Sequence, residues 1–226
     1  MIALVYSSVT NAFELRCKYL NKTELYCCEV QRLEIQEPHT KISSVIGTHL
    51  PHLGSADVEN LRISNQKDIK FLPINIAEYF PNLKQIVVKH TKLEYITEND
   101  FRGLTQLSVI YLTNNKLKEL PCGVFNTNRK LEEIHFEDNF LKKIGGDVFK
   151  PLPLLKVAHF RNNDCIHKDA NTTTEMTELM ERIAQKCSTT CELPDAYDPS
   201  SCSSKYYKTM IKQLGLLFMI SIINRL

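Results

Sequence analysis

A 24-residue period constrains this chain more than any other feature. Apolar residues at Leu83, Ile86, Val88, Leu93, Ile96, Phe101 and Leu104 set a spacing. It recurs from Leu107 with Ile110, Leu112, Leu117, Leu120 and Phe125, and from Leu131 with Ile134, Phe136, Leu141, Ile144, Phe149 and Leu152. A fourth pass opens at Leu155 with Ala158 and Phe160, so three successive steps are each 24 residues long. The ninth position is Thr91, Asn115, Asn139 and Asn163; the nineteenth is Phe101, Phe125 and Phe149. A period of this length marks a repeat array, in which no unit buries its own apolar face and each is stabilised by its neighbours.

Within each unit the opening residues alternate apolar and polar, which is strand periodicity. Their leucines point inward between coils and the intervening residues outward. The ninth-position asparagine falls where the chain turns away from the strand, and its amide can satisfy backbone groups of neighbouring coils. The nineteenth-position phenylalanine fills the wider back of the coil. An earlier unit is visible with more drift as Val58, Leu61, Ile63, Gln66, Ile69, Leu72 and Phe80, with Gln66 in place of Asn. A further strand is expected over residues 30–35, followed by an irregular stretch to Asp57. Asn128 stands where a leucine is expected, and Gly145-Gly146 suggests a tight turn.

Eight cysteines gather at the two ends: Cys17, Cys27 and Cys28 early, Cys165, Cys187, Cys191 and Cys202 late, with only Cys122 between. That distribution reads as disulfide-closed caps in an oxidising compartment. The spacing of Cys187 and Cys191 also suits zinc, but no second short-spaced pair with nearby histidine accompanies it. No metal or cofactor is therefore expected. The sequons at Asn21 and Asn171 agree with secretion. Residues 1–12 read as a short or truncated signal peptide, apolar from Met1 to Tyr6 with small residues at Thr10 and Ala12. A net charge of +2, without basic runs interleaved with aromatics, excludes nucleic acid as the expected partner.

The unit resembles the leucine-rich-repeat consensus LxxLxLxxNxLxxLxxxxFxxLxx. The resemblance implies an α/β solenoid, a short horseshoe with a parallel concave sheet between disulfide-bonded N- and C-terminal caps. Its 24-residue length is similar to that of the extracellular subfamily of receptors and secreted binding proteins, including small secreted immune proteins of insects. It covers residues 58–187 and implies a cysteine-rich cap over 13–57, repeats over 58–164, a second cap over 165–202 and a tail over 203–226. In the second cap, Met176, Leu179, Met180 and Ile183 form a helix face over the last coil, and Cys187 closes onto Cys165. Cys191 with Cys202, and Cys17 with Cys27 or Cys28, are the other expected pairs, although spacing alone does not fix connectivity. Cys122 has no assigned partner.

The outward residues of the strands define the candidate binding face: Arg62, Val87, Lys89, Tyr111, Glu133, His135, Glu137, His159 and Arg161. Arg62, Val87, Tyr111, His135 and His159 form its central column, a mixed polar and aromatic surface suited to a protein or microbial-surface ligand. The plain alternative is a solvated sheet face. Neighbouring His135 and His159 beside Glu133 and Glu137 could respond to pH. No nucleophile elbow, HExxH or phosphate loop is present, so binding is expected and not catalysis. In the tail, residues 214–223 are apolar and follow a serine-rich stretch and a polar spacer, the order of a glycolipid-anchor signal. That tail would make the chain a membrane-held adhesion or receptor-like protein, and a helix packed on the cap is the alternative for the same residues.

Overall fold

Each repeat's alternating opening becomes a strand laid beside that of the next repeat. The structure is a computed structural model and describes residues 12–22 and 24–191. Its main sheet contains β1 (Ala12–Lys22), β2 (Leu25–Val30), β3 (Lys41–Ile46), β4 (Asn60–Ser64), β5 (Gln85–Lys89), β6 (Val109–Tyr111), β7 (Glu133–His135), β8 (Val157–His159) and β9 (Asp169–Ala170). The spatial order is β9-β8-β7-β6-β5-β4-β2-β1-β3. From β2 to β8 every neighbour is parallel, while β1 against β2 and β9 against β8 are antiparallel. On the opposite side, Glu119–Leu120, Lys143–Gly145 and Ser188–Thr189 form a small parallel sheet, and Glu34–Ile35 pairs with Asp68–Ile69. This is the solenoid with a parallel concave sheet that the resemblance implies.

The register carries the two faces. Leu61, Ile86, Ile110, Ile134 and Ala158 form one row, and all are buried. Phe101 and Phe125 from the nineteenth position pack behind them, tilted with ring centres 5.7 Å apart, joined by Phe136 and Phe160. Burial of such aromatic and branched side chains, roughly 1.5–3 kcal/mol each, is the main force holding coil on coil. Phe149, the last of its column, is only partly covered because the coil that would cover it is replaced by the cap.

The ninth-position side chains form a ladder. Asn139 accepts from the Leu117 N–H (3.1 Å) and donates to the carbonyls of Leu112, Phe136 and Glu137. Asn163 repeats the pattern with Leu141, Phe136 and Phe160, and Asn115 does so with Thr91 and Val88. Gln66 accepts from Leu33 N–H and donates to the carbonyls of Val30 and Gln31. The strand expected over 30–35 is divided: Val30 ends β2, residues 31–33 leave the sheet, and Glu34–Ile35 forms the short strand beside Asp68–Ile69, with Cys28 and Val30 at the inward positions of β2. Just ahead of each ladder residue, Asn65, His90, Asn114, Asp138 and Asn162 all have φ between 54° and 58°. Short polar side chains tolerate this left-handed conformation best, and it turns the chain out of the sheet. Asn128 is fully buried and donates to the carbonyls of Phe101 and Leu104, which explains an amide where leucine is usual.

Among the described residues, three disulfides join Cys17–Cys28, Cys122–Cys191 and Cys165–Cys187. Adjacent strand residues point to opposite faces, so only one of Cys27 and Cys28 can share the face of Cys17. Cys27, expected in a disulfide, is a free and wholly buried thiol, and burial pushes it up to about 11. Cys191 was expected to meet Cys202, which lies outside the described residues, but it pairs with Cys122. The strand Ser188–Thr189 aligns with Lys143–Gly145 and carries Cys191 to that coil. Gly145 is explained by the same neighbour: a Cβ there would lie 2.7 Å from the Cys122 nitrogen, so the glycine serves close approach, and the expected turn opens at it, with Val148 N–H donating to the Gly145 carbonyl.

The cap ends in a helix, α1 (Thr173–Lys186), whose first turn is closed by Thr172 and Glu175 in a reciprocal capping box. Met176, Leu179 and Ile183 are buried on its inner face, while Met180, expected with them, is 36% exposed at the edge. No helix among the described residues is long and apolar enough to cross a membrane. The apolar run at 214–223 and the short N-terminal segment at 1–11 lie outside the described residues.

Candidate functional site

The outward row runs Arg62, Val87, Tyr111, His135, His159 in direct register. Val87 is 1% exposed, closed over between two longer neighbours, and offers no surface. The rest of the column is built of rings. Tyr111 and His135 stack with centres 4.2 Å apart, and His159 meets His135 edge-on at 4.7 Å. The Lys89 ammonium lies 4.2 Å above the Tyr111 ring, a cation–π contact that joins the neighbouring column to the first. Arg161 sits at the end of that neighbouring column and pairs with Asp169 at 3.5 Å.

Glu137 organises the far half of the face. Its Oε1 lies 3.6 Å from His135 Nδ1 and 3.3 Å from His159 Nδ1. Its second oxygen is buried and has no hydrogen-bond partner. The opposite nitrogens are held from behind: His135 Nε2 lies 3.4 Å from Glu133 Oε2, and His159 Nε2 lies 2.8 Å from Asn171 Oδ1. Burial works to raise the Glu137 carboxyl, but the neighbouring His135 and His159 imidazoles outweigh it, so the group sits below the ordinary glutamate range. Burial draws Lys89 below an ordinary lysine, and burial with Glu133 and Glu137 nearby raises the Tyr111 phenol.

Of the predicted face, Lys89, Tyr111, Glu133, His135, Glu137 and His159 come together, Arg62 and Arg161 flank them, and Val87 drops out. Asn171 was noted in the sequence only as a sequon. The structure adds its contact to His159, made possible by β9 bringing the chain back antiparallel to β8. Both sequon asparagines, Asn21 and Asn171, are exposed. A further buried carboxyl, Asp100, lies away from this face, accepts from Thr97 N–H and is pushed by burial up to about 7.

A family model described as leucine rich repeat matches residues 57–117 and 105–164. Among solved structures, a TLR13–ssRNA13 complex aligns at 24% identity over 48% of this chain and 15% of that one, with a TM-score of 0.45. The Toll–Spatzle complex of Drosophila aligns at 23% identity over 58% of this chain and 17% of that one, with a TM-score of 0.47. Its glycosylated form aligns at 20% identity over 67% and 20%, also at 0.47. This chain thus spans at most a fifth of the length of these structures. No curated protein matches it. With the family model falling on the same residues as the stacked coils and their asparagine ladder, the chain is a leucine-rich-repeat protein.

Proposed function

We propose that this chain is an extracellular recognition protein that binds a protein or microbial-surface ligand on its concave face, in innate immunity, and that it works by binding and not by catalysis. The observation that carries this reading is the ring column of Tyr111, His135 and His159 flanked by Lys89 and Glu137. Aromatic side chains present large contact area at little entropic loss, and interfaces are enriched in them. Three disulfides favour an oxidising compartment, and the exposed sequons suit glycosylation there. The immune context rests on the resemblance of the repeat type.

The test is capture from extracellular fluid by the wild-type chain and by the double variant Tyr111→Ala/His159→Ala, with unfolding midpoints measured for both. A partner held by the wild type and lost by an equally stable variant supports the placement. Equal retention overturns it. The compartment is checked separately by peptide mass spectrometry of the secreted chain: enzymatic glycan release should convert Asn21 and Asn171 to aspartate.

A further inference from the structure

The geometry points to a divalent transition-metal site, of the kind that takes Zn2+, formed by His135 Nδ1, His159 Nδ1 and a Glu137 carboxylate oxygen on the concave face. The three ligand atoms all lie within 4.8 Å of one another. Two imidazoles and one carboxylate are a common three-ligand set for zinc, and such a set leaves a coordination position open.

The argument turns on where the protons sit. Asn171 Oδ1 can only accept, so the 2.8 Å contact places the proton of His159 on Nε2. Glu133 does the same for His135 Nε2 at 3.4 Å. In a neutral imidazole the other nitrogen is then a lone pair. Both Nδ1 lone pairs face the same carboxylate oxygen, at 3.6 and 3.3 Å. Three electron-rich atoms converging in this way repel one another unless a cation lies between them. A proton on each imidazole would be one such cation, and a metal ion the other.

Two further observations favour the metal. Glu137 Oε2 is buried with no partner although the residue is only 8% exposed, so the carboxylate is under-used by the protein alone. A buried acceptor left unpaired is costly, and metal coordination is one way to engage it. Each histidine is also oriented through its distal nitrogen by an oxygen acceptor, the arrangement that fixes the tautomer of metal-ligating histidines. Glu133 and Glu137 add negative charge suited to a divalent cation. The site opens to the concave surface, where the His159 side chain is 19% exposed, so the free position can take water or a side chain of a bound partner. The other close group, Cys122, Asp147 and Cys191, is closed by its disulfide. Metal uptake follows from side-chain geometry alone and does not depend on the ligand-binding reading, so either can fail without the other.

The test uses the full chain with ZnCl2 alone, titrated against a chromophoric chelator, and with Co2+ for its visible absorption. The expected result is one ion per chain, with affinity falling on the order of 100-fold or more in His135→Gln, Glu137→Gln and His159→Gln. Asn171→Ala should weaken binding by roughly 10–100-fold through loss of the orienting acceptor. Thr173→Ala removes only the sequon and His52→Gln only an exposed histidine, so both should bind as the wild type does. Unfolding midpoints measured without metal show that each variant is folded. No stoichiometric uptake by the wild type overturns the site. Uptake that the three ligand variants do not weaken overturns it as well.

Discussion

Asn139 and Glu137 lie two residues apart on one coil, are 4% and 8% exposed, and spend their polar atoms in opposite ways. The Asn139 amide engages one N–H and three carbonyls from two coils. The Glu137 carboxylate gives one oxygen to two imidazoles and leaves the other without a partner. The side chain pointing inward completes the backbone's hydrogen bonding and leaves nothing for a ligand. The one pointing outward is pre-placed but incomplete. In this pair the side chain that holds coil to coil is saturated, and the one offered for recognition is not.

The strongest way to break that contrast is to compare stabilities. Asn139→Leu strands the Leu117 N–H and several carbonyls in the core, and should lower the unfolding free energy by about 3–5 kcal/mol in urea titration. Asp100 offers a case of intermediate size. Its carboxyl is raised to about 7 by burial, against about 3.9 in the unfolded chain. A raised folded value means the protonated form is favoured, so its contribution is full below pH ~4 and is lost as the pH rises through ~7. Asp100→Asn keeps an acceptor for Thr97 N–H and cannot ionise. It should flatten that decline and be more stable than wild type at pH 8 by ~1–3 kcal/mol. A wild-type stability that does not fall between pH 4 and 8 contradicts this.

Glu137 should show the smallest effect and the opposite sign. Its folded value is depressed, so its contribution is present above the unfolded value of about 4.3 and is lost as the pH falls through the lower folded one. Glu137→Gln should remove that acid-side loss, and at pH 7 without metal it should cost about 1 kcal/mol or less. A loss as large as that of Asn139→Leu would erase the distinction between the two side chains.

The period made the repeats legible because each 24-residue step carries its own strand, ladder residue and phenylalanine. The pairing of Cys165 with Cys187 was legible through the resemblance to the family's C-terminal cap. What escaped depends on register between distant segments. Val87 reads as outward by alternation, but its burial depends on the lengths of Arg62 and Tyr111 beside it. Cys122–Cys191 joins residues 69 apart and follows from Ser188–Thr189 lying beside Lys143–Gly145, and the closeness of Gly145 to Cys122 from Lys143–Gly145 lying beside Glu119–Leu120. His135 and His159 were aligned by the period, but the convergence of both on Glu137 depends on rotamers. The link from His159 to Asn171 depends on the return of β9, which no periodicity announces.

The most direct test of this account is the urea unfolding free energy of the triple variant His135→Gln/Glu137→Gln/His159→Gln, measured without metal beside Asn139→Leu. The account predicts that the triple variant stays within ~1–2 kcal/mol of wild type while Asn139→Leu loses about 3–5. A triple variant that unfolds as readily as Asn139→Leu would show that the histidine–carboxylate cluster holds the fold together, and would contradict its assignment as a recognition surface.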